Sequence, residues 1–398
     1  MVDVARREAL GALALGGAGL ALPGLALAGW ARPAEAATPG LADFPEKRGM
    51  IIRRVRAPLL ETPLEVFDQG VITPNDRFFV RWHYDDIPLS VDVATFRLRV
   101  GGRVSTPMSL SLADILKMPR VEMTAVNQCS GNSRSAFAPR VPGAQWADGA
   151  MGNAVWTGVR LKDVLARAGV KPGAVAVRLS GLDRPPGDAP WYAKSLDIDH
   201  ALDGEVMIAF AMNGQQLPLL NGFPLRIVAP GWFSTYWIKA LDRIEVLDAP
   251  DTGYWMAKAY QIPTAPRANV PPGAHDFAKQ PISQMAPRAF ITNRAGGAIG
   301  AGKPIALRGI ALGGDTGVAK VELSLDQGRQ WQSTRLGRDH GRYSFRSWDM
   351  TVPGLARGRH IIMVRATNTA GETQRADTIW NPSGYRLNTI QTIAVDAT

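Results

Sequence analysis

The chain has 398 residues, with 45 lysines and arginines against 35 aspartates and glutamates, and is 46% hydrophobic. That length predicts two or three domains, each able to bury a core, and a single cysteine excludes a small fold stapled by disulfides. The formal charge of +10 favours anionic ligands or acidic partners, but the basic residues are scattered rather than interleaved with aromatics, which argues against nucleic acid.

Arg6-Arg7 precede a charge-free stretch, Ala9 to Ala28, broken by several glycines and Pro23 and followed by the small-x-small site Ala34-Glu35-Ala36. Residues 1–36 therefore read as a twin-arginine export signal to the periplasm rather than as a membrane anchor, and no span is expected in the mature form. That route carries folded proteins, which suits an enzyme loaded with a cofactor before export.

Residues 37–90 are proline-punctuated and read as a wrapping segment. A strand from Phe96 to Val104 with a turn at Gly101-Gly102 predicts a hairpin opening a domain over 91–262. Ser111 and Asp114 have capping-box spacing before a short helix, and Leu161 to Ala168 reads as a helix stopped by Gly169. Apolar stretches at Val121–Val126, Ala174–Leu179, Val206–Met212, Leu225–Ala229 and Trp237–Leu247 predict strands, so this domain is α+β. Pro263, Pro266, Pro271, Pro272, Pro281 and Pro287 mark residues 263–288 as a linker. Beyond it, short strand patterns at Val318–Leu325, Tyr343–Val352 and His360–Ala366 predict an immunoglobulin-like β-sandwich over 289–398.

The chemistry is narrowed by absences. There is no C-x-x-C-H, so no c-type haem attaches to this chain, and one cysteine cannot hold an iron–sulfur cluster or a Cys-rich zinc site. Gly297 to Lys303 has phosphate-loop spacing, but Pro304 stands where a magnesium-binding hydroxyl belongs, and a glycine-rich hairpin is the better reading. The informative segment is Asn127-Gln128-Cys129-Ser130-Gly131-Asn132-Ser133-Arg134: its cysteine ends a strand and enters a polar loop with an arginine nearby, a setting for a ligand or nucleophile as much as for an inert core thiol. Phe78 to His83 carries Arg81 and His83, a pair suited to an oxyanion or to a solvated surface. Trp255 to Tyr260 reads as core packing.

Together with Glu61-Thr62-Pro63, Ile72 to Asp76, Met212-Asn213-Gly214, Asn221 to Arg226 and Trp380-Asn381-Pro382, these segments resemble the sulfite oxidase family of molybdenum enzymes, and within it the periplasmic sulfite dehydrogenases. The resemblance runs from about Leu60 to the C-terminus. It implies a sulfite-oxidase-type molybdopterin-binding domain followed by the family's dimerisation module, with a molybdenum–molybdopterin cofactor whose metal is bound by Cys129. It also implies Arg81, Arg134 and Tyr260 at the substrate, and His83, Asp183, Asn221, Arg226 and Lys239 at the pterin and its phosphate. The expected reaction is oxidation of sulfite to sulfate. Electrons would pass to a separate c-type cytochrome, the protein being a homodimer or a heterodimer with a cytochrome subunit. Animal members have arginine and histidine where Ser133 and Asn221 stand. The rival readings are an exported molybdopterin reductase of an oxidised sulfur compound and a non-catalytic periplasmic binding module.

Overall fold

The computed structural model describes Phe44, residues 46–377 and residues 379–398; the twin-arginine segment lies outside the described residues. Two five-stranded sheets build the first half. One orders Gln215–Gln216, Met207–Met212, Met151–Arg160 and Arg120–Gln128, with Arg226–Val228 also paired to Met207–Met212. The other orders Met108–Leu110, Leu98–Gly102, Leu241–Leu247, Ala176–Gly181 and Ala193–Asp197. A small N-terminal sheet, Ile51–Arg54 with Leu59–Glu61 and Val80–Arg81, lies at the start of the described chain.

The local signals explain most of these elements. Ser111 caps the helix Leu112–Leu116 through a reciprocal capping box with Asp114, and Gly169 stops the helix Leu161–Ala168 in the left-handed region at φ +69°. The expected hairpin forms, but its turn comes after the glycines: Leu98 pairs with Leu110 and Val100 with Met108. Gly102 instead stands where a Cβ would lie 2.1 Å from the Val246 carbonyl oxygen, so glycine here permits close approach of the neighbouring parallel strand.

The second half is a sandwich of two sheets. Arg288–Ile291, Ile305–Leu312, Arg346–Val352 and Arg335–Leu336 form one; Gly297–Ile299, Gln391–Ala397, Gly358–Asn368, Val318–Ser324 and Gln332–Ser333 form the other. Ile305 to Leu312 begins with alternate buried and exposed residues, as a strand with one face on the core requires. Trp348, Leu307, Val321, Ile362 and Val395 fill the space between the sheets. The segment Gly297 to Lys303 is not a hairpin: its two flanking strands belong to different sheets, so the glycines carry the chain across the sandwich.

Residues 263–288 are ordered along the fold. Gln261–Pro263 pairs with Lys279–Pro281, and Ile282, Met285 and Ala286 are buried. One apolar core runs from the first half into the second, including Phe290, Ile310, Leu312, Tyr343 and Phe345. The two sheet systems therefore pack against each other through a shared apolar core. No helix among the described residues is long and apolar enough to cross a membrane.

Candidate active site

The nine-residue strand Arg120–Gln128 delivers Cys129 to the point where its sheet ends. Cys129 N–H still donates to the Ala150 carbonyl, after which the chain turns: Asn132 N–H donates to the Cys129 carbonyl and Arg134 N–H to the Gly131 carbonyl. Ser133 takes a left-handed conformation at φ +66°. A Cβ on Gly131 would lie 2.6 Å from the Arg134 guanidinium, so this glycine makes room for the arginine. Cys129 is buried and has no disulfide partner.

Two cavities meet at this point. The inner one, with about 460 Å³ of atom-free space, is lined among others by Arg81, His83, Cys129, Asn221, Arg226, Lys239 and Tyr260. The outer vestibule, about 1750 Å³ by the same measure, is lined by Arg134, Arg54, Lys258 and Tyr385 among others. Cys129, Arg81 and Tyr260 line both, and so form the neck between them. Neither cavity has a carboxylate in its wall.

Side chains around the inner cavity are poised for a polar guest. Arg81 Nη1, Asn127 Oδ1, Asn221 Oδ1, Arg226 Nε and Thr235 Oγ1 are buried without a hydrogen-bond partner. Each such orphan costs about 1–3 kcal/mol, a loss that a ligand with matching groups would recover. Arg226 donates to the Asn221 carbonyl at 2.9 Å and lies over the Trp156 ring at 4.8 Å; burial pushes its guanidinium down to about 9. Lys239 donates to the Arg81 carbonyl at 2.7 Å and lies over Trp82 at 4.3 Å. Enclosure, reinforced by Arg226, pushes its ammonium down to about 7. Two cations at a cavity wall that carries no carboxylate fit an anion such as the phosphate of a pterin.

His83 stacks on Tyr192 at 3.6 Å, and its Nε2 meets the Tyr260 hydroxyl at 2.6 Å. Burial, then Arg81 and Lys239, hold His83 well below the usual imidazole range, so it is neutral at pH 7. Burial raises Tyr260, keeping the phenol protonated. The pair is a neutral imidazole bonded to a phenol proton donor, able to hold or move a proton at Tyr260 Oη.

The structure thus gathers seven of the expected residues into one cavity wall and treats the others differently. Arg134 faces the vestibule only, donating to the carbonyls of Ala144, Ser383 and Gly384. Asp183 is buried but does not line the cavity; burial raises its carboxyl to about 6, against the pull of Lys239. Ser133 turns away from the substrate side: its hydroxyl bonds Asp148 and accepts from Arg288 at 2.9 Å. Asn221, in contrast, donates to the Phe79 carbonyl at 3.1 Å and leaves its own oxygen free at the cavity. The sequence reading did not single out Tyr192, Thr235, Trp237 or Tyr385, which reach the site from distant segments.

Comparison with known proteins identifies the family. Residues 84–255 match the family described as "Oxidoreductase molybdopterin binding domain", and residues 282–397 that described as "Mo-co oxidoreductase dimerisation domain". Sulfite oxidase of Gallus gallus is 33% identical over 369 residues, covering 88% of this chain and 78% of its own. The chain belongs to the sulfite oxidase family. Mitochondrial sulfite oxidase of Homo sapiens is 34% identical over 82% of this chain, and the chain spans 62% of that protein's length. A rice nitrate reductase is 30% identical over 89% of this chain and 42% of its own length. Among solved structures, the sulfane dehydrogenase SoxCD of Paracoccus pantotrophus superposes with a TM-score of 0.73, covering 91% of this chain and 92% of its own at 24% identity, a likeness of fold.

Family membership fixes the cofactor as molybdenum carried by molybdopterin. The residues fit such a group: Arg81, Asn127, Asn221, Arg226 and Thr235 present buried polar atoms without partners around the cavity, and Cys129 at its neck could give a metal one sulfur ligand.

Proposed function

We propose that this protein oxidises sulfite to sulfate at its molybdenum–molybdopterin centre and passes the two electrons one at a time to a separate c-type cytochrome. The observation that carries this reading is the neck: the only cysteine, an arginine with a buried free N–H, and a protonated tyrosine stand where an inner cofactor cavity opens to a cationic vestibule. The overall change is SO₃²⁻ + H₂O → SO₄²⁻ + 2H⁺ + 2e⁻.

When bound, the cofactor supplies acceptance of two electrons and delivery of an oxygen atom to sulfur. The chain supplies the rest. Arg226, Lys239 and Asn221 hold the pterin side, and Cys129 gives the metal its protein ligand. Sulfite enters along a wall with no carboxylate to repel it, and Arg81 and Arg134 fix its oxygens by charge-assisted bonds. Arg134 is already aligned by three carbonyls, which reduces the ordering cost when the anion arrives. Tyr260 and His83 carry a proton between the reacting oxygen and the cavity wall.

The paired arginines near the N-terminus support a periplasmic location, and the dimerisation-domain match supports a dimer, as a homodimer or with a cytochrome subunit. The purified protein should contain molybdenum and pterin and reduce cytochrome c only when sulfite is added. Arg81→Ala and Arg134→Ala should each lower kcat/KM for sulfite by about 10- to 100-fold, the value of one charge-assisted contact, with far-UV dichroism unchanged. A protein without molybdenum would support the binding-module reading. A loaded protein inert to sulfite that reoxidises a reduced dye with an oxidised sulfur compound would support the reductase.

A further inference from the structure

Tyr260 occupies an unfavourable backbone conformation. Its φ is +56°, in the left-handed region that costs a non-glycine residue roughly 1–2 kcal/mol, so its surroundings must hold it there. Two contacts of the first half take part: the hydroxyl meets His83, and the Tyr260 carbonyl accepts from Ile282 N–H at 2.8 Å. The open face of its ring is covered from elsewhere. Tyr385, in the segment after the sandwich's longest strand, lies parallel to it, with ring centroids 5.4 Å apart and planes inclined by 14°.

The same ring touches the other substrate-side residue. The Arg134 guanidinium carbon lies 4.9 Å from the Tyr385 centroid, while Ser383 and Gly384 carbonyls accept from its Nη2 and Nε, both at 3.2 Å. Gly384 sits at φ +62°, and a Cβ there would fall 2.7 Å from Arg134 Nε, so only glycine lets this backbone come so close. Arg386 N–H then donates to the Ser130 carbonyl, one residue past Cys129, and the Ser383 hydroxyl donates to the Gln261 carbonyl, one residue past Tyr260. The segment 383–386 is thus pinned to both loops of the site at once.

We propose that Tyr385 is a positioning residue: its ring, wedged between Arg134 and Tyr260, sets the direction of the Tyr260 hydroxyl at the neck and the plane of the Arg134 fork in the vestibule. This rests on the sulfite reading only where it assigns Tyr260 and Arg134 to the substrate. The flat ring is what the geometry uses. Both neighbours lie against the ring, the Arg134 guanidinium by its charge and Tyr260 by stacking.

The test compares Tyr385→Phe with Tyr385→Leu in the loaded protein, each also labelled with 3-fluorotyrosine. Tyr385→Leu should lower kcat for sulfite about tenfold and raise KM, the size expected for losing an aromatic pair at a reacting group. Tyr385→Phe should stay within about threefold of the parent on both. In fluorine spectra the Tyr260 resonance, assigned by its loss in Tyr260→Phe, should shift in the leucine variant and hold its place in the phenylalanine variant. Tyr385→Met takes the place of leucine if that protein does not fold. The proposal is overturned if an aliphatic variant keeps the parent's kcat and Tyr260 resonance, or if phenylalanine is as damaging as leucine. Should the parent fail to turn over sulfite, the functional reading falls while the fluorine spectra still decide the positioning role.

Discussion

Cys129→Ser is expected to fold, to lose its metal bond and to turn over sulfite at least on the order of 100-fold more slowly. The loop around this residue is held by main-chain bonds, Cys129 N–H to Ala150 and Asn132 N–H to Cys129, neither of which involves the sulfur. Serine fills nearly the same volume at a site where the thiol makes no hydrogen bond. What it cannot supply is a soft, anionic donor at neutral pH. The check is threefold: far-UV dichroism and melting point close to the parent, molybdenum content per chain lowered, and turnover lost. Undiminished turnover in this variant would remove Cys129 from the metal and with it the reading of the neck.

Lys239→Met is expected to act in opposite directions on the empty and the loaded protein. Without a phosphate, Lys239 and Arg226 oppose each other in one enclosed cavity, and enclosure holds Lys239 at about 7. In the unfolded chain a lysine keeps its proton to about 10.5. Between those values the unfolded state binds more protons, so the stability of the cofactor-free protein rises with pH, by up to about 1.4 kcal/mol per pH unit for each such group. Lys47 and Lys194, pushed to about 7 by burial, add to the same slope. Methionine at 239 removes one contribution: the empty protein should melt higher at pH 7 and depend less on pH. The same change should lower pterin retention by about 10- to 100-fold, since a charge-assisted contact to an anion is gone. Melting curves of the empty proteins from pH 6 to 9, with pterin assayed by fluorescence, decide the matter. An unchanged slope and unchanged pterin content would show that Lys239 faces no anion.

The sequence made part of this site legible and hid the rest for physical reasons. Cys129 stood out because a polar, glycine-containing loop is a poor place for a core thiol. The capping box at Ser111 and the glycine stop at Gly169 are local signals, complete within a few residues, and the structure has both as read. The strand Met151–Arg160 left no such mark: it is buried on both faces, so it shows no alternation of apolar and polar residues. Arg226 and Lys239 were reached through the family resemblance, because nothing in their spacing says that they share a cavity. His83 and Tyr260 meet across 177 residues, and Tyr192 and Tyr385 reach the site only through tertiary folding. Ser133 shows the converse, a position in the Cys129 loop whose side chain the left-handed turn directs toward Asp148 and Arg288.

The carbonyls of Ser383 and Gly384 on Arg134, and the bond from Arg386 to Ser130, have a bearing on how such proteins can be recombined. A chimaera that joins this cofactor-binding half to a relative's sandwich would inherit foreign contacts around its own Arg134. Grafts should therefore succeed only when residues 129–134 and 380–386 travel as a matched set, and homologues should exchange the two as one inherited unit.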